Sequence, residues 1–107
     1  MLTDFKEEDF DNKIKNEDIS VIQFSAAWCG PCKALKPIMD KLAVEYKDKA
    51  QNWFYCDVEE GAINLGSQMF IKGVPTTIIF KKGVEVDRLV GNPGEAAVKE
   101  FLEKTSN

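Results

Sequence analysis

Histidine is absent from these 107 residues and cysteine is scarce, at three (Cys29, Cys32 and Cys56). An odd cysteine count does not suit a secreted disulfide framework, so a reducing compartment is expected, where paired thiols do chemistry or bind metal rather than staple a fold. Basic residues are outnumbered: 14 Lys and Arg stand against 18 Asp and Glu, a net charge of −4. That balance argues against a nucleic-acid partner, whose footprint is a basic stripe. No apolar run approaches the roughly 18 residues a membrane span needs. The beginning, "MLTDFKEEDF", has neither the basic end nor the apolar centre of a secretory signal. Repeats, low-complexity stretches and linkers are also missing. With 44% apolar residues the chain can bury a real core without staples, and a single domain over 1–107 is expected.

What is present is an alternation of strand and helix patterns. "ISVIQFSAA" (19–27) is rich in β-branched and aromatic residues and nearly continuously apolar, the pattern of a strand buried on both faces. After it, Leu35, Ile38, Met39, Leu42, Ala43 and Tyr46 recur at intervals of three and four, one face of a long helix that Pro37 should kink. "NWFYCDV" (52–58) reads as the next strand, completing a βαβ unit with parallel strands. Residues 62–69 suggest a weaker helix. "PTTIIFKKGVEVDRLV" (75–90) reads as an antiparallel hairpin turning at Lys82-Gly83. In the tail (92–104), Asn92 as cap and Pro93 in the first turn predict a helix through Val98, Phe101 and Leu102. A brief strand around Leu2–Phe5 and a short helix through Phe10 and Ile14 open the chain. The sum is an α/β domain, a mixed sheet with helices on both faces.

Chemistry concentrates in "WCGPCK" (28–33), where a strand gives way to a helix. Unsatisfied N–H groups and the helix dipole there favour an anion. Thiols three apart on a helix are close enough for a rotamer change to join them. Cys29, at the exposed tip, is expected to be the thiolate nucleophile, and Cys32, one turn in, a more buried thiol that resolves the mixed disulfide. Gly30 lets a partner backbone approach, Pro31 preorganises the first turn, and Lys33 adds a modest positive charge. The competing readings are weaker. Zinc normally takes four ligands, and one CxxC with a distant Cys56 and no histidine falls short without a dimer or carboxylates; no metal is expected. A permanent bridge across so short a loop would constrain little of the unfolded chain. Cys56 reads as a small core residue.

"WCGPCK" after a buried strand, Lys36-Pro37, "GVPT" (73–76) and "VGN" (90–92) together resemble the thioredoxin family over nearly the whole chain. The resemblance implies a five-stranded mixed β-sheet flanked by four α-helices, with Val74-Pro75 as a cis peptide facing the cysteines. It implies a protein-disulfide reductase of the cytoplasm without a cofactor beyond the reversible Cys29–Cys32 disulfide, and a monomer is the default for a domain whose pattern shows no obvious exposed apolar face. Its partners would be a thioredoxin reductase as electron donor and protein disulfides as substrates, held by Trp28, Gly30, Pro31, Val74, Pro75, Val90, Gly91 and Asn92. A disulfide oxidase or isomerase on the same fold, and a redox-independent binding module, are the alternatives; Gly30-Pro31 resembles the reducing members. The chain also departs from the family. Gln23 stands where a buried Asp is usual, Tyr55 where its Lys partner is common, and Ser25 where many relatives have Trp. Gln23 cannot accept a proton at neutral pH, so the resolving step should be slower than in relatives with the Asp.

Overall fold

The computed structural model describes residues 2–15, 17–50 and 52–105. Its elements run β1 (Thr3–Phe5), a 3-10 turn (Glu7–Asp9), α1 (Phe10–Lys13), β2 (Ile19–Ser25), α2 (Gly30–Glu45), β3 (Asn52–Asp57), α3 (Ile63–Gln68), β4 (Thr76–Lys81), β5 (Val84–Val90) and α4 (Glu95–Thr105). The five strands form one sheet in the order β1-β3-β2-β4-β5. β1, β3 and β2 are parallel, while β4 runs antiparallel to β2 and β5 antiparallel to β4. This is the mixed sheet with four helices that the sequence pattern and the resemblance both imply.

Burial of β2 on both faces follows from its alternation. Ile22 and Phe24 point to one side, where Phe5, Ile14, Phe54, Cys56, Leu65, Ile78 and Phe80 complete a core. Val21 points to the other, with Leu35, Met39 and Leu42 of α2, Trp53, Ile79, and Val98 and Leu102 of α4. Because side chains alternate along a strand, Gln23 falls on the α2 side, and this parity brings its amide beneath the cysteine pair. The apolar stripe of α2 is buried as its spacing predicts, with Ile38 half-buried at its margin. The helix runs without a break across Pro37.

The hairpin turn is where the sequence put it. Lys82 and Gly83 have φ of 53° and 82°, the double positive φ of the tight turn that matches strand twist. A Cβ on Gly83 would lie 2.8 Å from the Lys15 Cα, so glycine is also required sterically. The start of α4 differs from expectation. Asn92 Oδ1 accepts a hydrogen bond from the Gly94 N–H at 3.2 Å, and the helix begins only at Glu95, not at Pro93. Gly94 has φ +99°, outside the helical region, and this displaces the first turn by two residues.

Candidate active site

The cysteine pair sits where β2 ends and α2 begins. β2 ends at Ser25, the Cys29 N–H donates to the Ala26 carbonyl at 3.1 Å, and Cys29 takes an extended conformation as the cap of α2. Pro31 lies in the first turn, where its missing N–H leaves no intrahelical bond unmade. Cys29 and Cys32 are joined as a disulfide, with Cα atoms 5.3 Å apart. The Cys32 N–H donates to Cys29 Sγ at 3.2 Å. A backbone donor aimed at this sulfur, at the positive end of a 16-residue helix, stabilises a thiolate there more than a thiol.

One expectation needs correction. Cys29 does not stand at an exposed tip: it is 3% exposed, against 0% for Cys32. Val74 packs over the pair, with its carbonyl oxygen 3.7 Å from Cys29 Sγ, and Ala26 closes the cluster from below. The order of accessibility is as expected, Cys29 being slightly more exposed than Cys32.

The residues expected to flank the sulfurs are divided among three segments. Trp28 is 69% exposed, and its indole N–H donates to Glu59 Oε1 at 2.9 Å. That bond crosses from the cysteine loop to the turn after β3, so the indole is a fixed platform. Gly30 and Pro31 are exposed beside it. Val74-Pro75 is a cis peptide, with Val74 half-buried and Pro75 buried. The Gly91 N–H donates to the Pro75 carbonyl at 2.7 Å, which ties 90–92 to the proline loop. Val90 is 65% exposed, while Gly91 and Asn92 are half-buried. No side chain fills the space a Cβ would take at Gly30, Gly73 or Gly91, so backbone lies open around the disulfide. Lys33 is exposed on the next position of α2.

Behind the pair, Gln23 is fully buried. Its amide nitrogen donates to the Cys32 carbonyl at 3.1 Å and to Ser25 Oγ at 2.9 Å. Among the described residues Gln23 Oε1 has no hydrogen-bond partner, and neither has Oγ1 of Thr77, its cross-strand neighbour. Tyr55 is the neighbour on β3, and the Lys36 ammonium lies 5.6 Å from its ring centroid. The side chains in hydrogen-bond or cross-strand contact with Gln23 (Ser25, Thr77 and Tyr55) are therefore polar and uncharged, and the nearest ammonium named, Lys36, lies on the Tyr55 ring.

Cys56 behaves as a core residue. It is fully buried, and burial, reinforced by the Asp57 and Glu7 charges, pushes its thiol up to about 12. It stays protonated at neutral pH and contributes no thiolate. Among the described residues no cluster of His, Cys, Asp and Glu could hold a metal ion, and no helix is long and apolar enough to cross a membrane.

Sequence reasoning missed Glu59, which pairs with Trp28 across 31 positions, and Phe70, which is 73% exposed before the Val74 loop. Neither has a local signal in the sequence, since one is a long-range contact and the other depends on a backbone angle.

The thioredoxin family model matches residues 2–104. A thioredoxin of Staphylococcus aureus is 35% identical over 96 residues, covering 90% of this chain and 89% of that protein. Two solved structures are similar in fold. A Malassezia sympodialis thioredoxin has a TM-score of 0.86 at 26% identity, covering 100% of this chain and 92% of the other. A mutant thioredoxin from Halobacterium salinarum has a TM-score of 0.83 at 30% identity, covering 97% and 89%.

Proposed function

This chain belongs to the thioredoxin family and is a thiol–disulfide oxidoreductase; on that premise we propose how its residues divide the work. Cys29 is the nucleophile. Its thiolate attacks one sulfur of a substrate disulfide, a new S–S bond forms, and the other substrate sulfur leaves as a thiolate that takes a proton from water. Cys32 then gives its proton to solvent and attacks Cys29 Sγ, expelling the second substrate sulfur as a thiolate, which takes a proton from water, and closing the Cys29–Cys32 disulfide. Two electrons and two protons pass to the substrate. The observation that carries this assignment is the Cys32 N–H aimed at Cys29 Sγ at the head of α2.

Substrate is held on open backbone. An extended segment pairs with the main chain at Val74, a one-strand β-augmentation that reads shape more than sequence. Trp28, Gly30, Pro31, Pro75, Val90, Gly91 and Asn92 frame that segment, and exposure of Trp28 and Val90 supports the role. Gln23 and Lys33 modulate the pair without touching substrate. Protein disulfides are the substrates and a thioredoxin reductase the electron donor, both carried over from the family. The protein works as a single-domain monomer in the cytoplasm, and the reversible disulfide serves in place of a cofactor.

Limited alkylation of the reduced protein tests the division of roles. Iodoacetamide at pH 7 should modify Cys29 at least about 10-fold faster than Cys32, because the thiolate is the reacting species. Cys56 should stay unmodified until the protein unfolds. Modification of Cys32 before Cys29 would reverse the assignment.

A further inference from the structure

α3 ends in an unusual way. The Ile71 N–H donates to the Gly66 carbonyl at 2.9 Å and the Phe70 N–H to the Ser67 carbonyl at 3.1 Å. Those paired bonds close a helix C-terminus through one residue in the left-handed region, a place that glycine or asparagine normally fills. Here it is Phe70, at φ +56°. For an aromatic residue this conformation is a genuine outlier. The ring gains nothing from burial, since Phe70 is 73% exposed. The apolar contact that usually accompanies such an ending is supplied instead by Ile71, which packs against the core around Leu65 and Ile78.

Phe70 is thus disfavoured by its backbone angle and by its exposure, yet it is held firmly. Arg88 donates to the Met69 carbonyl at 2.9 Å, and Glu85 fixes the same guanidinium. Arg88 stands opposite Ile78, as Val90 stands opposite Thr76 at the disulfide end of the sheet. Two residues of strand separate these levels, about 7 Å. The four Cα–Cα steps from Phe70 to Val74 span at most about 14 Å. An exposed aromatic ring on a fixed backbone therefore stands within a few residues' reach of Val74 and the disulfide it covers.

We propose that Phe70 is a specificity-determining residue, an apolar anchor for disulfide substrates that carry a large apolar side chain three to five residues from the reacting cysteine. The proposal rests on the reading of Val74 as the substrate-pairing strand and extends that surface down the flank of the sheet. Aromatic side chains dominate binding at such contacts because they bury much area with few torsions to freeze.

The test uses synthetic peptide disulfides with Leu placed three, four or five residues to either side of the cysteine, and the same peptides with Ser there. Wild type should reduce the best Leu peptide with kcat/KM about 10-fold above its Ser counterpart, the effect expected for partial burial of one large side chain. Phe70→Asn, which suits the left-handed region, should erase that preference while leaving the Ser peptides unchanged and the melting temperature equal or a few degrees higher. Phe70→Leu should keep most of the preference. Equal handling of Leu and Ser peptides by wild type, or a preference that survives Phe70→Asn, would overturn the proposal. Failure to reduce any peptide would instead sink the exchange reading beneath it, and the proposal with it.

Discussion

Replacing Cys32 by Ser is expected to convert a turning-over reductase into a covalent trap. Cys29 remains at the cap of α2, and the backbone N–H at position 32 that points at its sulfur is unchanged by the substitution. The first exchange should proceed and form a mixed disulfide through Cys29. A hydroxyl cannot attack that bond under these conditions, and Cys56 is buried and protonated. Steady-state turnover should fall by about three orders of magnitude or more, the scale seen when one member of a catalytic unit is removed. Mass spectrometry should find protein plus one substrate thiol, released by dithiothreitol. Cys29→Ser should show neither turnover nor adduct. Retained turnover without an adduct would mean that exchange does not run through this pair.

Gln23→Asp is the second large effect, and it acts on rate and stability in opposite directions. The carboxyl would lie beneath Cys32 in a fully buried position. It would lose the amide N–H that Gln23 donates to the Cys32 carbonyl. Only the protonated acid can donate there, while the carboxylate would face that carbonyl oxygen without a bond. Both effects raise the folded-state pKa above the ordinary Asp value near 3.9. Between that value and the raised one the folded state holds more protons than the unfolded. Stability of the variant therefore falls as pH rises, by about 1.4 kcal/mol per unit, and is fully regained only below about pH 4. At pH 7 the loss should be about 3 kcal/mol, the scale of a buried charge without its partner, since Lys36, the ammonium over Tyr55, is already paired with Asp40.

The same raised pKa makes the carboxylate a general base matched to neutral pH, which Gln23 cannot be. Stopped-flow fluorescence of Trp28 and Trp53 should show resolution of the mixed disulfide at least about 10-fold faster near pH 7, the low end of what a positioned base contributes. Absence of a rate gain would mean that Cys32 already loses its proton without hindrance, and that the Gln23 amide does not limit the reaction.

Much of this architecture was legible because each element carried its own period. The run 19–27 announced a doubly buried strand, and the α2 stripe from Leu35 to Tyr46 announced the face that covers it. Gly83 between two apolar-patterned strands marked the hairpin, because glycine accepts the positive φ a tight turn requires. Two features were illegible for physical reasons. The start of α4 was misplaced because Asn92 and Pro93 are good opening residues in isolation, but Gly94 sits at positive φ and holds the helix off until Glu95. The burial of Cys29 was misjudged because the covering residue, Val74, lies 45 positions away. The cysteine spacing alone leaves zinc and redox chemistry open; the lack of further metal ligands and the separated motifs "GVPT" and "VGN" pointed to the redox pair. What lies around them, the Trp28–Glu59 bond and the outward Phe70, depends on tertiary contact and on a backbone angle that no local pattern encodes.

The reduction potential of the Cys29–Cys32 couple, set by equilibration against dithiothreitol buffers, tests the central claim most directly. Thioredoxins poise such pairs near about −270 mV and strong oxidants near about −120 mV, a span of roughly 7 kcal/mol for two electrons. A value close to the low end is expected, and it would mean that electrons flow from this dithiol into substrate disulfides while Gln23 governs only the rate. A value above about −200 mV would contradict the account: the pair would then be poised to oxidise or rearrange disulfides rather than to reduce them.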